Sequence, residues 1–375
     1  MTNDTRFIIG CMTGTSIDGL DAAVVRVDGH GLAMRASLVA HRSTDLGDCR
    51  ERLRALASQS AMTAGQIAQL SHDFCMLHAK ACEQVWLEAA GEPGVSRHPG
   101  LISVHGQTVW HRPPVSWQLF QPAPLARMMN CRVVCDLRQA DLAAGGEGAP
   151  LTPIADYVLF ADPHQALTVV NFGGFCNLTH LPRRGGAGAD QSPEEVASGI
   201  RGGDLCACNH LLDEIARRGF GRPFDQDGEQ ARAGRPVASL ASELCELLAA
   251  SGSHRRSLGT GDECQEWVIR ALGSHSPRDV AATASEALAE LVASAVAPEA
   301  RIMCFGGGAR HGRLMDALTR RVGPERMASP ALPVEAREAA CWAVLGAMAE
   351  DGEELGVPGI TRRVVVPRIA GLWVS

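Results

Sequence analysis

Gly10-Cys-Met-Thr-Gly-Thr-Ser-Ile-Asp-Gly19 separates two apolar runs, Phe7-Ile8-Ile9 before it and Leu20 to Val27 after it. The runs read as β-strands and the polar stretch as the turn that joins them, with Asp28-Gly29 closing the second strand. The turn offers three hydroxyls (Thr13, Thr15, Ser16), backbone amides opened by Gly14 and Gly19, and one carboxylate, Asp18. Backbone N–H groups in a tight turn form a concavity for phosphate oxygens. One carboxylate beside them suits Mg2+, which keeps most of its waters and takes few protein ligands. Taken alone, the stretch reads equally well as an ordinary hairpin turn.

The same theme returns twice. Thr168-Val-Val-Asn-Phe-Gly-Gly-Phe-Cys-Asn-Leu178 is again strand, glycine turn, strand, with Asn171 and Asn177 flanking Gly173 and Gly174. A glycine bulge in a sheet is the competing reading. Arg301 to Phe305 is a strand that runs into Gly306-Gly307-Gly308 and then a helix from about His311. Three glycines let a flat ring or a phosphate approach the backbone, and the helix start adds positive potential. Two phosphate turns followed by a nucleotide-edge loop is the order found in the actin, hexokinase and heat-shock-70 superfamily.

Composition narrows the alternatives. The 375 residues favour two lobes, and a 46% hydrophobic share supports a sizeable core. A net charge of -7 argues against a general nucleic-acid binder. No run approaches ~18 apolar residues, so no membrane span is expected. The start shows no signal-peptide pattern, and the cytoplasm is the default location. Lys80 is the only lysine and sits within a long helix expected from Thr63 to Ala90, far from any glycine loop. P-loop enzymes and protein kinases both need a lysine at the phosphates, so neither architecture fits. The thirteen cysteines form no CxxC pair and read as small buried hydrophobes.

Longer strings carry a family resemblance. Gly10 to Asp21 resembles the G-x-M-S-G-T-S-x-D-G-x-D of the anhydro-N-acetylmuramic acid kinases, and His105-Gly-Gln-Thr-Val-Trp-His-Arg-Pro113 their H-G-Q-T-x-x-H-x-P. Asp136 to Leu151 is similar to D-F-R-x-x-D-x-A-x-G-G-Q-G-A-P-L, Asn171 to Leu178 to N-I-G-G-I-A-N-L, and Gly306 to His311 to G-G-G-A-x-N. Glu338-Ala339 opens a segment like the family's E-A-x-A-F-A. The likeness runs from about residue 7 to 370.

The resemblance implies an α/β fold of two RNase-H-like lobes, with mixed sheets flanked by helices and a nucleotide cleft between them. The expected first lobe is residues 1–164 with 335–375, and the second 165–334. It implies ATP and Mg2+ as cofactors, an anhydrosugar substrate and a homodimer. The family opens the anhydro ring of 1,6-anhydro-N-acetylmuramic acid with water and phosphorylates the freed 6-hydroxyl, a step of peptidoglycan recycling. Gly10, Thr13, Gly14, Thr15, Ser16, Asp18, Gly19, Asn171, Gly173, Gly174, Asn177, Gly306, Gly307 and Gly308 become the expected ATP and phosphate contacts, with Asp18 toward the metal. Gly202 to Asp213 aligns with G-F-D-T-G-P-G-N-x-L-x-D, which makes Asp204 the general base. On local sequence, Asp204 could instead cap the helix beginning near Asn209. Arg138 can hold a carboxylate in a fork; Asp141, Gln107, Thr108 and Gln118 are further sugar-side expectations.

Departures from the family pattern bear on specificity. Leu205-Cys-Ala-Cys208 replaces T-G-P-G, and its cysteines could crowd ATP or sugar if that backbone approaches either. Phe175, Cys176 and His311 also depart from the pattern. A kinase of the same fold for another sugar, and a non-catalytic nucleotide-binding protein of the heat-shock-70 or actin sort, are the competing functions.

Overall fold

The computed structural model describes residues 5–185, 193–252, 264–363 and 370–375. The loops expected at 182–193 and 252–263 lie largely outside these. In chain order the first strands are β1 (Thr5–Met12), β2 (Leu20–Asp28), β3 (Arg35–Thr44), β4 (Leu101–Val104), β5 (Gln107–Arg112), β6 (Val115–Leu119) and β7 (Arg132–Cys135). They continue as β8 (Leu167–Phe172), β9 (Phe175–Leu181), β10 (Arg201–Ala207), β11 (Arg301–Phe305), β12 (Met327–Ala328) and β13 (Leu372–Val374). The chain divides into two compact units. The first holds the described residues of Met1–Phe160, Asp190–Ile200 and Glu335–Ser375, and the second those of Ala161–Ala189 and Arg201–Val334.

In the first unit β1 is central, paired antiparallel with β2 and parallel with β4. A strand bonded on both edges and covered on both faces must be apolar throughout, and Phe7 to Cys11 is buried without a break. The sheet order is β13-β7-β4-β1-β2-β3. Alternation along β1 sends Ile9 and Cys11 to one face, where they meet Phe74, Cys82 and Val85 of the helix Ala64–Glu88. Thr63 starts that helix with a capping box: its hydroxyl accepts from Gln66 N–H at 3.3 Å, and Gln66 Oε1 accepts from Thr63 N–H at 2.7 Å.

The helix Ala336–Asp351 covers the opposite face. Gly10 belongs to this packing. A Cβ there would lie 1.9 Å from Ala339 O, so only glycine lets the helix backbone settle on β1. Gly346 does the same from the helix side, where a Cβ would lie 2.6 Å from Ser103 Cβ.

The second unit has the order β10-β9-β8-β11-β12. Here β8 pairs antiparallel with β9, and β9 with β10, while β11 runs parallel to β8 and β12 to β11. This repeats the wiring β3-β2-β1-β4-β7 of the first unit, with three antiparallel strands followed by two parallel ones. Both units therefore carry the ribonuclease-H-like strand order within mixed sheets flanked by helices. The helical region expected after Asn209 resolves into Asn209–Phe220, Glu229–Ala233, Ala238–Gly252, Gln265–Ser274 and Pro277–Ala295.

All thirteen cysteines are free thiols, and only Cys131, Cys245 and Cys264 reach solvent in part. Among the described residues no helix is long and apolar enough to cross a membrane.

Candidate active site

The second unit gathers its polar groups by register. Asn171 on β8 lies opposite Asn177 on β9, and Asn177 lies opposite Asp204 on β10. Directly opposed residues project on one face, so the two asparagines and the carboxylate form a row across the sheet. The register shifts between Asp204 and Cys206, and such an irregularity re-aims side chains beside it. Asp204 is half-buried in β10, while Cys208 occupies the N-cap of the helix Asn209–Phe220. The capping reading of Asp204 is thereby excluded.

The row sits at the turn between β8 and β9. Gly174 O accepts from the N–H of Cys208 at 2.9 Å and of His210 at 3.2 Å, and Gly173 O accepts from Asn209 N–H at 3.0 Å. Asn209 Nδ2 donates to Phe172 O at 2.9 Å. The turn's carbonyls thus face the helix start, while the N–H groups of Gly173 and Gly174 donate no hydrogen bond among the described residues. Gly306, at φ +82°, closes against the same turn: a Cβ there would lie 2.6 Å from Phe172 O and 2.9 Å from Asn171 Oδ1. At Gly308 a Cβ would lie 2.7 Å from Phe172 Cβ and 2.8 Å from Asn209 Oδ1, while at Gly307 it would lie 3.4 Å from Asn209 Nδ2.

The departures from the family pattern find their places here. Cys206 and Cys208 are fully buried in the core of this unit with Cys176 and Leu211, so their side chains crowd neither turn. His311 caps the helix Gly312–Val322, its Nδ1 accepting from Leu314 N–H at 3.3 Å. That is the work an asparagine does at the same position.

In the first unit the turn after β1 is pinned by Ile17, whose buried side chain sits at φ +52°. Such a backbone is strained for a β-branched residue. Thr15, Ser16 and Asp18 are left exposed around it, between Gly14, whose carbonyl accepts from Ile17 N–H at 3.1 Å, and Gly19. Among the described residues the Asp18 carboxylate makes no hydrogen bond or ion pair, although its backbone carbonyl accepts from Arg50 at 2.9 Å. Thr13 is buried, and its hydroxyl has no partner among the described residues.

Thr13 follows β1, His105 to Gln107 follow β4, and Asp136 follows β7, so three parallel strands deliver side chains at their carboxyl ends. Ligand sites of open α/β sheets form there. Arg138 donates to His105 Nε2 through Nε at 3.2 Å and Nη2 at 2.9 Å, and to Gly148 O through Nη1 at 2.9 Å. One N–H on each Nη is left over. Burial and the Arg138 charge hold the His105 imidazole well below its usual pKa, which keeps Nε2 an acceptor. Trp342 packs against both, 4.8 Å from the His105 ring and 5.9 Å from the Arg138 guanidinium.

Gln107 and Gln118 are buried in the β5–β6 hairpin. Gln107 Nε2 donates to Thr108 O at 3.1 Å, and Gln118 Nε2 donates to Ser116 Oγ at 2.8 Å and Thr108 Oγ1 at 3.4 Å. Among the described residues their carbonyl oxygens remain unpartnered, as does Asp136 Oδ1. A guanidinium edge beside bare acceptors suits a ligand with one carboxylate and several O–H or N–H donors.

Asp141 differs from the expectation of a direct sugar contact. It is 3% exposed, with Oδ2 accepting from Gly148 N–H at 2.7 Å and Oδ1 from the Thr361 hydroxyl at 2.7 Å. Both oxygens hold the chain together, and a Cβ at Gly146 or Gly356 would strike them. The pair His105 and His111 is no metal site: His105 serves Arg138, and His111 Nδ1 lies 2.8 Å from Ser116 Oγ. Residue-by-residue reading missed Glu338, half-buried with its carboxyl pKa raised by burial, and felt by both Arg138 and Asp21. Asn209 was missed too. Both lie within the quoted strings, but nothing local marks them as facing a site.

Two units with the ribonuclease-H-like strand order and glycine turns at their strand ends define a protein of the actin, hexokinase and heat-shock-70 class. The model of the anhydro-N-acetylmuramic acid kinase family matches residues 6–361. The chain is 33% identical to the anhydro-N-acetylmuramic acid kinase of Salinibacter ruber, over 95% of this chain and 93% of that protein. It is 35% identical to the one of Bordetella pertussis, with the same coverage. Among solved structures it resembles component A of the Acidaminococcus fermentans (R)-2-hydroxyglutaryl-CoA dehydratase, at 13% identity and a TM-score of 0.45 over 91% of this chain and 98% of that one. The chain belongs to the anhydro-N-acetylmuramic acid kinase family.

Proposed function

We propose that Asp204 is the general base that draws a proton from water as that water attacks the anomeric carbon of 1,6-anhydro-N-acetylmuramic acid. The bond from that carbon to O6 breaks, and O6 takes the γ-phosphoryl group of ATP, giving ADP and N-acetylmuramic acid 6-phosphate. The observation that carries this reading is the row Asn171–Asn177–Asp204, which sets a half-buried carboxylate in register with the asparagines of the glycine turn. Partial burial favours a base over a solvated anion.

In this reading Gly173, Gly174 and Gly306 to Gly308 admit the nucleotide in one lobe, residues 165–334. The other lobe, residues 1–164 with 335–375, supplies Thr13, Gly14, Thr15, Ser16 and Gly19 to the phosphates. The free N–H groups of Arg138 hold the lactyl carboxylate, and Gln107, Thr108 and Gln118 accept from or donate to the sugar. Asp141 contributes by fixing the 145–148 turn. The exposed Asp18 carboxylate, without a partner among the described residues, fits Mg2+ held largely through its own waters. When bound, that ion supplies charge neutralisation at the phosphates. A homodimer in the cytoplasm belongs to the same reading, and light scattering that returned the mass of one chain would remove the dimer.

The test is product analysis by mass spectrometry after mixing protein, Mg-ATP and the anhydrosugar. The expected product is heavier than substrate by one water and one phosphoryl group, and chelating the metal should stop its formation. Asp204→Asn should abolish it while ATP binding persists. Turnover by that variant at the parent rate would take the base role from Asp204.

A further inference from the structure

His210 stands at the second position of the helix Asn209–Phe220, where the family string has no set residue. It is exposed, and its imidazole makes no hydrogen bond among the described residues. Its ring lies directly over the glycine turn: a Cβ on Gly174 would be 2.4 Å from His210 Nε2 and 2.9 Å from Cε1. The ring of Phe175 holds it there edge-on, with centroids 5.0 Å apart. Gly174 thus yields its side-chain space to an imidazole that presents a polar nitrogen at the turn. The N–H groups of Gly173 and Gly174, in the same turn, donate no hydrogen bond among the described residues.

We infer that His210 is a phosphate-binding residue of this enzyme, donating from its imidazole to a phosphate oxygen of ATP held on the Gly173–Gly174 turn. The inference rests on the reading of that turn as a phosphate site. It differs from a packing role, in which only the ring's shape over Gly174 would matter.

Three substitutions separate the roles. His210→Phe keeps a ring and removes the nitrogen, His210→Gln keeps a donor and removes the ring, and His210→Ala removes both. With MgATP varied at saturating anhydrosugar, the Phe and Ala variants should raise KM for ATP roughly tenfold. The Gln variant should restore most of the affinity, and KM for the sugar should stay at the parent value in all three. A Phe variant matching the parent, with Gln behaving like Ala, would overturn the assignment in favour of packing. Gly306→Ala in the same assay guards the underlying reading, because its Cβ would press on Phe172 O and Asn171 Oδ1 beside the turn. Weakened ATP binding in Gly306→Ala alone would refute only the His210 role. Parent-like ATP binding in both would refute the turn as the phosphate site as well.

Discussion

At the scale of single residues, the site is made by side chains that hold one another. Arg138 satisfies His105 and Gly148 while leaving one N–H on each terminal nitrogen, an arrangement that needs the planar five-donor fork. Lysine has three donors around a point and cannot serve His105, Gly148 and a carboxylate in those directions. Arg138→Lys should therefore raise KM for the anhydrosugar by about tenfold to a hundredfold, the loss of ~1.4–2.7 kcal/mol of charge-assisted bonding. KM for ATP should stay near the parent value, and steady-state kinetics with each substrate varied would check the split. Equal rises in both constants would mean that the change had disturbed the fold.

At the scale of elements, the helix Ala64–Glu88 carries an unusual core residue. His78 is fully buried, its Nδ1 2.8 Å from Phe74 O and its Nε2 without a partner. Burial pushes its pKa down from 6.5 to about 4. Below pH 6.5 the unfolded chain therefore binds a proton that the folded chain refuses. Stability present above pH 6.5 is lost as pH falls toward about 4, and the loss amounts to roughly 3 kcal/mol. His78→Leu removes the titrating group, so urea midpoints between pH 7 and pH 4 should fall less steeply than in the parent. Parallel slopes would show that other groups carry the acid sensitivity. The helix Ala336–Asp351 is fixed differently, by the buried pair of Arg337 and Asp156, with Nε to Oδ1 at 3.0 Å and Nη2 to Oδ2 at 2.5 Å. That pair ties it to the helix Thr152–Phe160.

At the scale of the whole molecule, two units with the same strand order each carry a separate hydrophobic core. A ligand that binds only the folded chain stabilises it by mass action. MgATP at a hundred times its Kd should add about 2.7 kcal/mol, visible as a rise in thermal midpoint. ATP with a chelator should give a smaller rise if Asp18 holds the metal at the phosphates, and an identical rise would count against that role.

The strands after Phe7, Leu20, Thr168 and Arg301 and the helix from Thr63 were legible in the sequence, because apolar periodicity is a local signal, whereas β5, β6 and β10 were not read as strands. The glycine turns were legible as turns for the same reason, and the family strings told which turns matter. Position within a turn was not enough to assign each residue. Gly10 reads like its neighbours Gly14 and Gly19, yet its role is set by Ala339, far along the chain. Asp141 sits in a sugar-side string, but the Thr361 hydroxyl and the Gly148 N–H claim its oxygens. Cys206 and Cys208 looked able to crowd the site, and the alternation and irregularity of β10 turned them into the core. The alignment of Asn171, Asn177 and Asp204 depends on the register of three strands. Sequence alone determined which groups the protein possesses and which short turns and helices they occupy. Tertiary structure decided which of them face a ligand and which hold the fold, because register and close backbone approach are set by partners distant in the chain.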